Sequence, residues 1–110
     1  MESRASYTLN KFSQAVWVLA TGPGDVRSRL HEAYISLAGA SASDLPDDLR
    51  ADFKWVTDQL GRYEPTDVQR RRGWGSLDAT LTKIKNKTGV KIAERIVAIE
   101  LELRRRLEHR

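Results

Sequence analysis

Four groups of residues in this 110-residue chain have side chains suited to chemistry: two histidines, a run of aspartates, a glycine-rich pentapeptide and a basic loop with a tryptophan. His31 carries an imidazole suited to proton transfer near neutral pH, but no second His or Cys stands near it at ligand spacing. His109, between Glu108 and Arg110, is equally isolated. An exposed structural role is expected for both. Asp44, Asp47, Asp48 and Asp52 could gather around a divalent cation, yet the calcium-loop spacing and its glycine are missing. Pro46 in a first helical turn, with carboxylates at the positive helix end, accounts for Asp47 and Asp48 without a metal.

The pentapeptide Thr21-Gly22-Pro23-Gly24-Asp25 invites comparison with phosphate-cradling loops. It lacks a Gly-Lys-Ser/Thr ending, and Asp25 puts a carboxylate where an anion would sit. A turn followed by a helix cap explains it better. The segment Arg62–Gly75, RYEPTDVQRRRGWG, is different in character. Arg70, Arg71 and Arg72 could neutralise phosphates while Trp74, with Tyr63 as a second ring, stacks on bases. The competing account leaves the arginines solvated and lays Trp74 over the core as a lid. Nucleophilic catalysis would need an activated Ser, Thr or Lys with a base in reach, and neither histidine has such a partner at recognisable spacing. The expectation is a protein that is not an enzyme and uses no cofactor or metal.

Apolar periodicity indicates the elements that must position these groups. Ile92, Ile96, Ile99, Leu103 and Leu107 recur at helical spacing in Val90–Leu107 and form one stripe. Val90, Val97 and Leu101 fall elsewhere around the same helix, which gives it a second apolar side. Thr8 is the expected cap of a helix to Ala20, with Leu9, Phe12, Val16 and Leu19 inward and Trp17 outside the stripe. A second helix runs from Asp25 to about Ala38. A third opens at Asp44-Leu-Pro and buries Leu45, Leu49, Phe53, Val56 and Leu60, while Trp55 shares a side with Asp48, Asp52 and Gln59. Ser76 can cap a further helix ending near Asn86, before Thr88-Gly89. If that Thr-Gly break is only a kink, Lys83, Lys87, Lys91 and Arg95 form a continuous basic ridge. Glu100 with Arg104 and Glu102 with Arg106 read as exposed pairs one turn apart. The expected fold is all-α: a compact bundle of four principal helices, or five, with a long amphipathic C-terminal helix. Residues 7–109 form one helical domain, and 1–6 a flexible lead-in.

The net charge of +4 is unevenly distributed. Residues 1–60 hold six Lys or Arg against eight Asp or Glu, whereas residues 61–110 hold thirteen against seven. A basic half raises the prospect of acidic partners. The absence of cysteine fits a reducing compartment, so the cytoplasm is expected. No apolar run approaches the ~20 residues of a membrane span.

Ala15–Tyr34, AVWVLATGPGDVRSRLHEAY, followed by Asp44–Val56, DLPDDLRADFKWV, resembles a family of small helical proteins of uncharacterised function from bacterial chromosomes and mobile elements. The likeness covers the first three helices and implies no activity or catalytic residues. The Arg70–Trp74 segment departs from the more acidic stretch that the family implies.

Two functions follow as expectations. The first is a protein-interaction or regulatory module, a homodimer or a subunit of a larger assembly, using Trp17, Trp55, Val97 and Leu101. The second is sequence-independent nucleic-acid binding through Arg70, Arg71, Arg72, Trp74, Lys83, Lys87, Lys91 and Arg95, without a recognition-helix motif.

Overall fold

The computed structural model describes residues 3–108, so the reading of His109 lies outside the described residues. In chain order it contains α1 (Arg4–Thr21), α2 (Val26–Ser36), a 3-10 turn (Ala42–Asp44), α3 (Asp47–Leu60), α4 (Asp67–Arg71), α5 (Ser76–Lys83) and α6 (Asn86–Glu108). No strand occurs among the described residues. The molecule is elongated, 50 × 24 × 24 Å, and α6 alone, at about 1.5 Å per residue, accounts for roughly 34 Å.

The stripe of α6 is the spine of the core. Ile92, Ile96 and Ile99 are fully buried and Leu103 almost so. They pack with Phe12 and Ala15 of α1, Leu30 and Ala33 of α2, and Phe53, Val56 and Leu60 of α3. Phe12 and Phe53 meet edge to face, with ring centroids 5.3 Å apart, the arrangement favoured by the aromatic quadrupole. The register of α1 against α6 is antiparallel: the Ser13 hydroxyl donates to Glu100 Oε1 at 3.2 Å, and Val16 and Ala20 lie beside Ala93 and Val97.

Several boundaries differ from those expected. α1 begins at Arg4, capped by Ser3, whose hydroxyl accepts the Ser6 amide at 3.1 Å. Thr8 is therefore an interior helical residue, fully buried, with no hydrogen-bond partner for its hydroxyl. Asp25 does cap α2, accepting the Ser28 amide at 3.1 Å. The basic loop is not structureless. Thr66 and Gln69 form a reciprocal capping box for α4. Gly73, at φ 86°, ends it: Gly73 donates to the Arg70 carbonyl and Trp74 to that of Gln69, a Schellman stop that needs a residue without a Cβ.

The last helix starts earlier than expected because the break lies at Ile84–Lys85, not at Thr88-Gly89. Ile84 is extended (φ −72°, ψ 154°), its side chain is buried, and its carbonyl accepts Arg27 Nη1 at 3.3 Å. Gly89 lies inside α6 because α2 crosses there. A Cβ at this position would sit 2.9 Å from Val26 Cγ1.

Candidate interaction surfaces

The structure distributes the four expected interface residues over three helices, with Trp17 on α1, Trp55 on α3 and Val97 and Leu101 on α6. Along the α1–α6 pair, Ser13 meets Glu100; one turn further along α1 is Trp17, and one turn back along α6 is Val97. Trp17 and Leu101 stand on the outward sides of these helices, 70% and 57% exposed. Val97 lines a groove of about 380 Å³ with Val16, Leu19, Ala20, Val90 and Ala93, whereas Trp17 borders a separate depression beside Val18 and Ser36. Arg29 and Glu94 line the same groove. Trp55 faces elsewhere. It is partly buried against the core from α3, and the Arg95 guanidinium covers it at 4.7 Å from the ring centroid.

Arg95 belongs to an electrostatic seam between α3 and α6. It donates to Asp52 Oδ1 at 2.8 Å, and Arg106 donates to Asp48 Oδ1 at 2.9 Å. These contacts, with Arg4 on Asp44 at 2.9 Å and Arg50 on Asp47 at 2.9 Å, occupy all four aspartates of the acidic run. Hydrogen bonds from Arg4 and Arg106 hold Asp44 and Asp48 below the usual carboxylate range. Glu102 falls furthest, lowered to about 2 by hydrogen bonds from Arg105 and then Arg106.

The pair read as Glu100 and Arg104 on an open surface is different in kind. Glu100 is only 3% exposed, wedged into the α1–α6 seam. Arg104 Nε donates to it at 2.8 Å and the Ser13 hydroxyl supplies a second donor, which offsets the cost of burying its charge. Hydrogen bonding to Glu100 raises the Arg104 pKa.

The basic residues separate into two populations. All four arginines from position 92 to 108 are ion-paired: Arg95, Arg104, Arg105 and Arg106. Residues 61–91 hold eight Lys or Arg and three Asp or Glu. Arg70 takes two of those carboxylates, Glu64 at 3.3 Å and Asp67 at 3.6 Å. Asp78, the third, accepts the Gly75 amide and lies 3.2 Å from His31 Nε2. Among the described residues, Arg62, Arg71, Arg72, Lys83, Lys85, Lys87 and Lys91 thus have no carboxylate at ion-pair distance.

Arg62, Lys83, Lys85, Lys87 and Lys91 share one end of the bundle, while Arg71 and Arg72 belong to α4 and the residue after it. α3 runs antiparallel to α6, so the end of α3 and the start of α6 lie together. The Tyr63 amide and the Thr80 hydroxyl, 2.9 Å apart, tie the intervening loop to α5. The extended Ile84 takes Lys83 out of the expected ridge, while Lys87, Lys91 and Arg95 keep helical spacing on α6. The aromatics are less available than expected: Tyr63 lies between Arg62 and Lys83, at 5.5 and 5.0 Å, and Trp74 is partly buried.

Sequence reasoning missed Arg62 as a member of the basic end, and Arg29 and Glu94 as groove residues. Arg62 was visible as an uncompensated charge. Nothing local could assign Arg29 and Glu94 to one groove, because they lie on helices far apart in the chain. No helix is long and apolar enough to cross a membrane among the described residues. Comparison with known proteins finds no matching family model, curated protein or solved structure.

Proposed function

We propose that the protein is a small non-catalytic interaction module that self-associates through the outer face of α1 and α6, as a homodimer or as a repeated subunit of a larger assembly. The supporting observation is the apolar surface that α1 and α6 leave uncovered: Trp17 is 70% and Leu101 57% exposed, and Val97 lines an apolar groove. Large aromatics left in water on a helical face are the usual anchors of a protein interface. A cysteine-free chain suits the cytoplasm. The likeness of Ala15–Tyr34 and Asp44–Val56 to small bacterial helical proteins belongs to this proposal and names no activity. Light scattering across a concentration series tests it. The apparent mass should rise with concentration for the native chain and stay monomeric for Val97→Asp and Leu101→Asp at unchanged helicity.

The seven uncompensated cations favour a second reading, binding of nucleic acid through its phosphates at the other surface. Fluorescence anisotropy should give affinities that fall with salt, the logarithmic slope being about −0.9 per phosphate contact on duplex DNA. Arg71→Glu, Lys87→Glu and Lys91→Glu should weaken binding alike on all sequences. Absence of binding at low ionic strength would sink this reading.

A further inference from the structure

We infer that the α1–α6 groove receives a second copy of this chain about a two-fold axis, with Arg29 of each copy facing Glu94 of the other. The inference rests on the self-association reading and specifies its geometry.

The argument begins with the two charges in the groove. Arg29 enters from α2, while Glu94 belongs to the outward side of α6. Glu94 has no hydrogen-bond or ion-pair partner among the described residues. Among the described residues, Arg29 donates only to backbone carbonyls, those of Leu19 at 3.3 Å and Asp25 at 3.4 Å, and meets no carboxylate. One base and one acid leave the lining with no net formal charge. A strongly acidic or basic partner would gain at one of the two residues and meet like charge at the other.

A second copy avoids that conflict. A two-fold interface brings each patch against itself, so residue i meets residue j and j meets i. An axis midway between Arg29 and Glu94 exchanges the two positions and sets Arg29 against Glu94 twice. The lining includes Ala20 and Ala93, whose small side chains allow two helical layers to approach closely. Trp17 and Leu101, outside the groove, then cover the partner's flanks instead of remaining in water.

Sedimentation equilibrium on the full chain tests the arrangement. The native chain should dimerise reversibly. Glu94→Arg, at a residue with no hydrogen bond or ion pair to lose among the described residues, should raise the dimer dissociation constant by about tenfold or more, since like charges then face each other. Arg29→Glu should do the same, and an equal mixture of the two variants should regain the native affinity because each contact again joins an acid to a base. A native-like dimer of Glu94→Arg overturns the two-fold arrangement and leaves self-association standing. So does a mixture of folded variants that fails to recover. A native chain that is monomeric at every concentration overturns both. Should Arg29→Glu lose its circular dichroism, Glu94→Arg and Val97→Asp decide the outcome: both must weaken the dimer with helicity intact, and a native affinity in either overturns the inference.

Discussion

The Arg95 guanidinium lies 4.7 Å from the Trp55 ring centroid while donating to Asp52 at 2.8 Å, so one side chain of α6 both covers the indole and pairs the carboxylate of α3. Cation–π contact and ion pairing at a half-exposed position together contribute about 1 kcal/mol. Arg95→Ala should lower stability by about that amount and shift tryptophan emission to longer wavelength as Trp55 meets water. Arg95→Lys should restore only part of both, because an ammonium lacks the flat face that stacks on the ring.

Gly89→Ala should destabilise the fold despite alanine's preference for helices, worth about 1 kcal/mol here. The added carbon would stand 2.9 Å from Val26 Cγ1 and 3.4 Å from Leu30 Cδ1, and overpacking costs about 1–3 kcal/mol. Urea denaturation should show the midpoint falling for Gly89→Ala. The same substitution made in a Val26→Ala background should cost less.

The α1–α6 seam should respond unequally to loss of its two charges. Arg104→Ala leaves the buried Glu100 carboxylate with the Ser13 hydroxyl as its remaining side-chain donor, at a cost of about 2 kcal/mol for a lost hydrogen bond to a charged group. Glu100→Gln keeps the shape, removes the buried charge and should cost less than about 1 kcal/mol. Equal losses in chemical denaturation would contradict this account of the seam.

Thr8→Val should raise the melting temperature. The Thr8 hydroxyl is buried without a partner, and an isosteric methyl removes a polar group whose burial costs about 1 kcal/mol, or about 4 °C for a chain of this size. A lower melting temperature would mean that the hydroxyl has a partner in solution.

Acid should weaken the fold through the end of α6. Arg105 and Arg106 lower the Glu102 pKa from 4.5 to about 2. A depressed carboxylate contributes stability above its unfolded pKa and loses that contribution as pH falls through its folded one. Melting temperature should therefore decline between about pH 4.5 and pH 2. Glu102→Gln should flatten part of that decline, with Asp44 and Asp48, also lowered by arginine hydrogen bonds, supplying another part.

Residue spacing carried the core to a useful depth. Ile92, Ile96, Ile99 and Leu103 could be assigned inward because one helix repeats them without interruption, and they are buried. Long-range pairings were not legible in the same way. Trp55 looked like a partner-seeking residue because its cover, Arg95, comes from another helix. Glu100 looked solvated because its burial depends on α1 lying alongside. Gly89 read as a breaker, since a glycine that permits close approach and one that ends a helix are the same letter. Three arginines before Gly73 concealed a helix as short as α4 (Asp67–Arg71), where the caps, not an apolar period, carry the signal. Val97 and Leu101 could be recognised as surplus apolar groups, but the groove that Val97 shares with Val16 and Ala20 of α1 could not.

The position of α6 also bears on the order of assembly during synthesis. The helices that it holds together, α1, α2 and α3, are all translated before it, and its contacts with α1 join residues 87 and 91 positions apart. Until Ile92 to Leu103 leave the ribosome, Phe12, Leu30 and Phe53 lack the wedge that joins them. A nascent chain paused at Lys85 therefore presents those side chains to chaperones, and protease resistance of arrested chains should appear only when α6 emerges.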